Sequence, residues 1–143
     1  MRTLLFLLLA FAACREPESQ PAVRVTAGDA QNGARLIREL GCGGCHTVPG
    51  VRGANGLTGP PLTAFAQRAY IAGRVPNEEA NLVQWIVSPQ SIDPETAMPA
   101  TGASATDARD IAAYLYTLDR GGLGPPHLLP KSWLDALRTA GPL

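Results

Sequence analysis

Lysine is almost missing from this sequence: Lys131 is its single occurrence in 143 residues. The arginines are scattered, so there is neither a basic footprint for nucleic acid nor a polybasic patch for a membrane surface. Aromatic residues make up 6%, which is thin for a one-domain core unless something else fills it. Histidine occurs only as His46 and His127, and methionine only as Met1 and Met98. No internal repeat is present. The apolar run that begins at Leu4 and ends at Ala12-Ala13 is too short to span a bilayer.

That run follows Arg2, a positive flank, and residues 1–13 are expected to be an export signal. Phe11-Ala12-Ala13-Cys14 resembles a bacterial lipoprotein cleavage box, with Cys14 as the lipidated first residue of the mature chain. Ordinary cleavage that leaves a free thiol is the alternative, although an unpaired exposed thiol would be odd outside the cell. Without Arg2 the chain carries 11 basic residues against 12 acidic ones. A lipid on Cys14 would then be its contact with the bilayer, on the periplasmic or cell-surface side. Residues 14–26 read as a polar, Pro-containing tether.

The chemistry is concentrated in Cys42-Gly43-Gly44-Cys45-His46. C-x-x-C-H is the attachment signature of a c-type haem. Two thiols three positions apart can add to the vinyl groups of one porphyrin edge, and His46 can then bind the iron through an imidazole nitrogen. Gly43 and Gly44 leave the turn without side chains that would crowd the macrocycle. A thioredoxin-like pair belongs in a βαβ setting, and no strand pattern surrounds Cys42. A zinc site needs four ligands, and beyond this motif only the isolated His127 remains. With no second C-x-x-C-H, the expectation is one covalent haem c.

Around this motif the pattern is helical. Asp29 to Leu40 reads as a helix with Asp29 as N-cap, stopped by Gly41, with Leu36, Ile37 and Leu40 on one face. Gly33, one turn earlier, suggests the close approach of another helix; a tolerated surface glycine is the alternative. After His46 the chain turns loop-like through Gly59-Pro60-Pro61. A short helix is expected over Thr63 to Ala72. Asn77 is expected to cap a second, Glu78 to Val87, with Leu82, Trp85 and Ile86 on its apolar face and Pro89 at its end. Thr106 or Asp107 starts a last helix with Ile111, Tyr114, Leu115 and Leu118 inward and Arg109 and Asp110 outward. The linker from Gly121 leads to an amphipathic piece, Ser132 to Arg138, carrying Trp133. The fold class is all-α: four to five short helices around one haem.

The iron's other side is addressed by Met98, in the irregular segment Asp93-Pro94-Glu95-Thr96-Ala97-Met98-Pro99. A thioether is a soft neutral ligand that favours ferrous iron. A core methionine filling a gap is the bland alternative, and His127, beside Pro125 and Pro126, is the rival ligand.

These residues resemble the small single-haem cytochrome c family over roughly 27–119, leaving 120–143 as a linker and extension outside the likeness. Gly59-Pro60-Pro61-Leu62 is similar to the family loop in which a proline carbonyl accepts the proximal histidine's other N–H. The resemblance gives that role to Pro60, sets Leu62 on the proximal haem face, and places Thr96 near a haem propionate. Leu82, Trp85, Ile86, Pro89, Pro94, Thr96 and Met98 match the family's distal segment in order, with Trp85 where mitochondrial-type members carry a tyrosine. Gly33 and Ile37 with Ile111 and Tyr114 match its crossed terminal helices. The chain also resembles cytochrome c domains attached to haem–copper oxidases. The resemblance implies one-electron transfer with a membrane redox complex, an oxidase or a dehydrogenase, and no small-molecule substrate or catalysis. A peroxidase-like or gas-sensing protein with a labile sixth ligand is the second reading. A subunit whose haem is mainly structural is the third.

Overall fold

A computed structural model describes residues 27–119 of the chain. The expected export signal, the tether with Cys14, His127 and the extension with Trp133 lie outside the described residues. The first helix, α1, runs Ala30–Glu39. Its N-cap is Asp29, whose carboxylate accepts from the backbone N–H of Gln31 at 2.8 Å and of Asn32 at 3.2 Å. At its other end Gly41 takes the left-handed conformation, φ 73°, and turns the chain into the cysteine motif.

The last helix, α3, spans Ala105–Leu115 and packs across α1. The crossing is tight enough that a Cβ at Gly33 would stand 2.0 Å from the Asp110 carbonyl oxygen, and one at Gly28 would stand 2.4 Å from that of Arg109. Glycine is therefore required at Gly33 by backbone contact. The helix begins earlier than the expected Thr106 or Asp107, because Ser104 and Asp107 form a reciprocal capping box: each side chain accepts the other's backbone N–H.

Asp110 corrects the expected face of α3. It is buried: its carboxylate accepts from Asp29 N–H at 2.8 Å and from the Asn32 side-chain amide at 2.6 Å. A charge removed from water needs such partners, and the first turn of α1 provides them together with the positive end of the helix dipole. Arg109 remains exposed.

The middle of the chain departs further from a helical reading. Instead of a helix over Thr63 to Ala72 there is one short 3₁₀ turn, Phe65–Gln67, and an antiparallel hairpin. Its strands are β1, Tyr70–Ile71, and β2, Val75–Pro76. Ala64 and Ala72 sit at φ 49° and 51°, which breaks any continuous helix. Asn77 explains the rearrangement. It does not cap the next helix, α2, which runs Glu79–Val87 with Glu78 at the N-cap position. Its buried side chain donates instead to the carbonyls of Phe65 and Arg68, both at 3.0 Å, and accepts from Tyr116 Oη at 3.1 Å. The described residues thus hold three α-helices and one small sheet, a mostly α domain. Leu82 and Ile86 on α2, Ile37 on α1 and Ile111 and Tyr114 on α3 meet in one core.

Candidate functional site

The cysteine motif forms a short 3₁₀ turn, Cys42–Gly44, closed by His46 N–H donating to the Cys42 carbonyl at 2.9 Å. Cys42 is half-buried, Cys45 is exposed, and both are free thiols. Burial pushes the Cys42 thiol up, an effect to which the neighbouring Cys45 adds. The turn is zipped to the loop that follows it. Gly56 N–H donates to Gly43 O at 3.0 Å, Gly59 N–H to Cys45 O at 2.8 Å, and Leu62 N–H to Thr47 O at 2.8 Å. Tyr114 anchors the same loop from α3 by donating to Pro49 O at 2.6 Å.

These backbone bonds lead to His46. Its Nδ1 lies 2.7 Å from the Pro60 carbonyl oxygen, which can only accept, so Nδ1 carries the proton. In the neutral ring the lone pair is then on Nε2, the nitrogen able to bind a metal. Gly59 forms the wall behind the ring: a Cβ there would stand 2.5 Å from His46 Cε1 and 2.7 Å from Nδ1. That contact depends on folding, and neither sequence spacing nor propensity signals it. Gly43 also has a reason within the protein itself. A Cβ on it would strike Ala54 at 2.6 Å, whereas one on Gly44 would meet no protein atom within 4 Å.

Arg68 adds a cation on this side. Its guanidinium lies over the Phe65 ring, 5.2 Å from the centroid, and donates to the Pro61 carbonyl. Burial lowers its pKa. Leu62 is half-buried against the core.

The segment with Met98 is built differently. Trp85 on α2 is half-buried against the core, and Pro89 opens a 3₁₀ turn, Pro89–Ser91. Asp93 pairs with Arg74 at 3.3 Å and so ties the hairpin to the segment. Met98 is half-buried; its N–H donates to Thr96 Oγ1 at 3.2 Å and its carbonyl accepts from Gln90 Nε2 at 2.8 Å. Thr96 therefore holds the Met98 backbone. Further on, Thr101 Oγ1 donates to Ile86 O at 2.9 Å.

The donor set suits a covalently held haem: two free thiols on one turn, an imidazole presenting Nε2, and a thioether in the same domain. Among the described residues no group of three or more His, Cys, Asp or Glu could hold a metal ion. No helix among them is long and apolar enough to cross a membrane.

Comparison with known proteins finds relatives over the same domain. Cytochrome c oxidase subunit 2 of Alkalihalophilus pseudofirmus is 39% identical over 90 residues, covering 62% of this chain and 25% of that protein. The Bacillus subtilis subunit 2 is 33% identical over 89 residues, covering 61% of this chain and 25% of that protein. That of Bacillus sp. strain PS3 is 34% identical over 79 residues, covering 54% and 22%. The chain thus spans about a quarter of the length of these relatives. No solved structure gives a significant match. The cytochrome c family model matches residues 30–119, from the start of α1 to just past α3, the stretch that carries both the C-x-x-C-H turn and Met98. With thiol pair, imidazole and family match coinciding on one domain, the chain belongs to the cytochrome c family, whose members bind haem c covalently.

Proposed function

We propose that this chain is a one-electron carrier with a single haem c, ligated by His46 and Met98, that exchanges electrons with a membrane respiratory complex, most directly a terminal oxidase. The observation that supports the reading is the His46–Pro60 contact at 2.7 Å: a carbonyl can only accept, which favours the proton on Nδ1 and an Nε2 able to bind iron. Haem c, when bound, supplies an iron that gains and loses one electron. Cys42 and Cys45 would tether it against loss, and His46 with Met98 would offer it one neutral nitrogen and one soft sulfur donor. With the same two side chains as donors in both oxidation states, little would have to move on transfer. Trp85, Thr96 and Leu62 are the other residues proposed to line the group. The oxidase partner is supported by the likeness to oxidase subunit 2 sequences.

The wider layout belongs to the same proposal. Residues 1–13 direct export, Cys14 carries a lipid, 14–26 tether, and 27–119 transfer the electron, with 120–143 as an extension. Lipid on Cys14 confines the domain to a membrane surface and raises its effective concentration near a membrane complex. Residues 27–119 contain six arginines and no lysine, so long-range steering is weak and rates depend little on salt. Leu57, 89% exposed and next to the glycine that abuts Gly44, offers an uncharged contact beside Cys45.

The test is reoxidation of the reduced, haem-loaded protein by oxidase-containing membranes, with carbon monoxide added to a parallel sample. The carrier reading expects cyanide-sensitive reoxidation, a weak salt dependence and no carbon monoxide complex. Ready carbon monoxide binding with peroxide turnover, and no exchange with the membranes, contradicts it in favour of an open-site protein.

A further inference from the structure

The Met98 segment is held at its end by a side chain that the proposed chemistry leaves unused. Gln90 stands in the 3₁₀ turn Pro89–Ser91, which is itself well fixed. Pro89 is buried, Ser91 Oγ donates to Ser88 O at 2.6 Å, and Gln84 Nε2 donates to Ser91 Oγ at 3.1 Å. From this base Gln90 Nε2 reaches eight residues forward to the Met98 carbonyl at 2.8 Å. Thr96 Oγ1 takes the Met98 N–H from the other side. Both polar backbone groups of Met98 are thus bound by side chains, one of them from a separate element.

We propose that Gln90 is a positioning residue for Met98, a latch that governs how readily the methionine leaves its place opposite His46. The inference rests on the reading of Met98 as the second axial ligand. Gln90 is exposed, so water competes for the same carbonyl and the hydrogen bond can open without unfolding the domain. Its net strength then sets the ratio of closed to open segment directly. Residues 27–119 hold no lysine, and His46 is their only histidine. Within residues 27–119 no amine or imidazole besides His46 can take the vacated position, and with His127, the other histidine of the chain, replaced by alanine in every protein compared, an added small ligand reports the open fraction.

The experiment uses the full-length, haem-loaded, oxidised protein, titrated with imidazole and followed by visible absorbance. Wild type is compared with Gln90→Leu, Gln90→Glu and Met98→Ala, all four carrying His127→Ala, with thermal melting recorded for each. Imidazole is expected to bind Gln90→Leu about two- to tenfold more tightly than wild type, as the open fraction rises. Gln90→Glu is expected to bind it at least as tightly as Gln90→Leu, because a carboxylate faces the Met98 carbonyl with no proton to share. Met98→Ala marks the fully open limit. Unchanged imidazole affinity in both Gln90 variants, with tight binding by Met98→Ala, overturns the latch and leaves the axial ligand in place. Lower melting temperatures with unchanged affinity overturn it as well, since a purely structural role moves only the former. If Met98→Ala binds imidazole no better than wild type, Met98 is not the ligand and both readings fall.

Discussion

The two sides of the proposed haem site are held by different kinds of force. On the His46 side, residues 41–62, the chain is bonded to itself through backbone groups, with Gly43, Gly56 and Gly59 where nothing larger fits. On the Met98 side, residues 88–103, backbone bonds close only local turns (Ser91 N–H to Ser88 O, Asp93 N–H to Pro89 O, Thr96 N–H to Asp93 O). Side chains of Gln90 and Thr96 hold Met98, and Thr101 and the Arg74–Asp93 pair tie the segment to the rest of the domain. Backbone bonds with steric backing fix one position and tolerate little. Side-chain bonds that are exposed, as at Gln90 and Arg74, compete with water and contribute modestly. One ligand is thus built into the frame, and the other is attached to it.

The sharpest way to break this contrast is Gly59→Ala. Its Cβ has no room beside the imidazole, so either the ring leaves Pro60 or the loop moves. We expect a loss of about 3 kcal/mol in the holo-protein, read by chemical denaturation, as for overpacking a close contact. A neutral outcome would mean that the His46 side is as pliable as the other.

Tyr114→Phe removes the tie from α3 to Pro49 and is expected to cost about 1 kcal/mol. It also alters the response to alkali. Burial pushes the phenols of Tyr114 and Tyr116 up to about 12, and the charges of Glu79 and Glu78 add to the shift at Tyr116. Above the ordinary value of 10 the unfolded chain releases protons that the folded one keeps, so stability falls as pH rises from about 10 to about 12. Denaturant titrations across that range should show a shallower fall in Tyr114→Phe.

Thr96→Val, on the Met98 side, is expected to cost under about 1 kcal/mol of global stability, since water can replace the lost acceptor. Its larger effect should be on imidazole affinity, in the same direction as Gln90→Leu. The smallest change is Arg74→Ala. An exposed pair at 3.3 Å contributes about 0.5 kcal/mol or less, and added salt should erase the difference in melting temperature. If Arg74→Ala matched Gly59→Ala in cost, the contrast between the two sides would collapse.

What could be read from the sequence follows the same division. The cysteine turn, the N-cap at Asp29 and the apolar faces of the three helices depend on neighbours within a few residues, and spacing alone exposes them. Asp110 and Asn77 escaped for a common reason. Each is a polar residue drawn inward by backbone groups far along the chain, Asp110 by Asp29 and Asn77 by Phe65. An apolar-face argument assigns such residues to solvent or to a cap. The expected helix over Thr63 to Ala72 failed because Asn77 captures the Phe65 and Arg68 carbonyls, which overrides local propensity. The wall at Gly59 required the folded position of the imidazole, which no local pattern carries.

The most direct test of the account is the visible spectrum of the full-length, haem-loaded, oxidised protein beside that of Met98→Ala. Histidine–methionine ligation predicts a weak red band in wild type that is absent from the variant, with carbon monoxide binding to the reduced variant only. A wild type without the band, or a variant that keeps it, would contradict the assignment of Met98 and with it the carrier built on His46 and Met98.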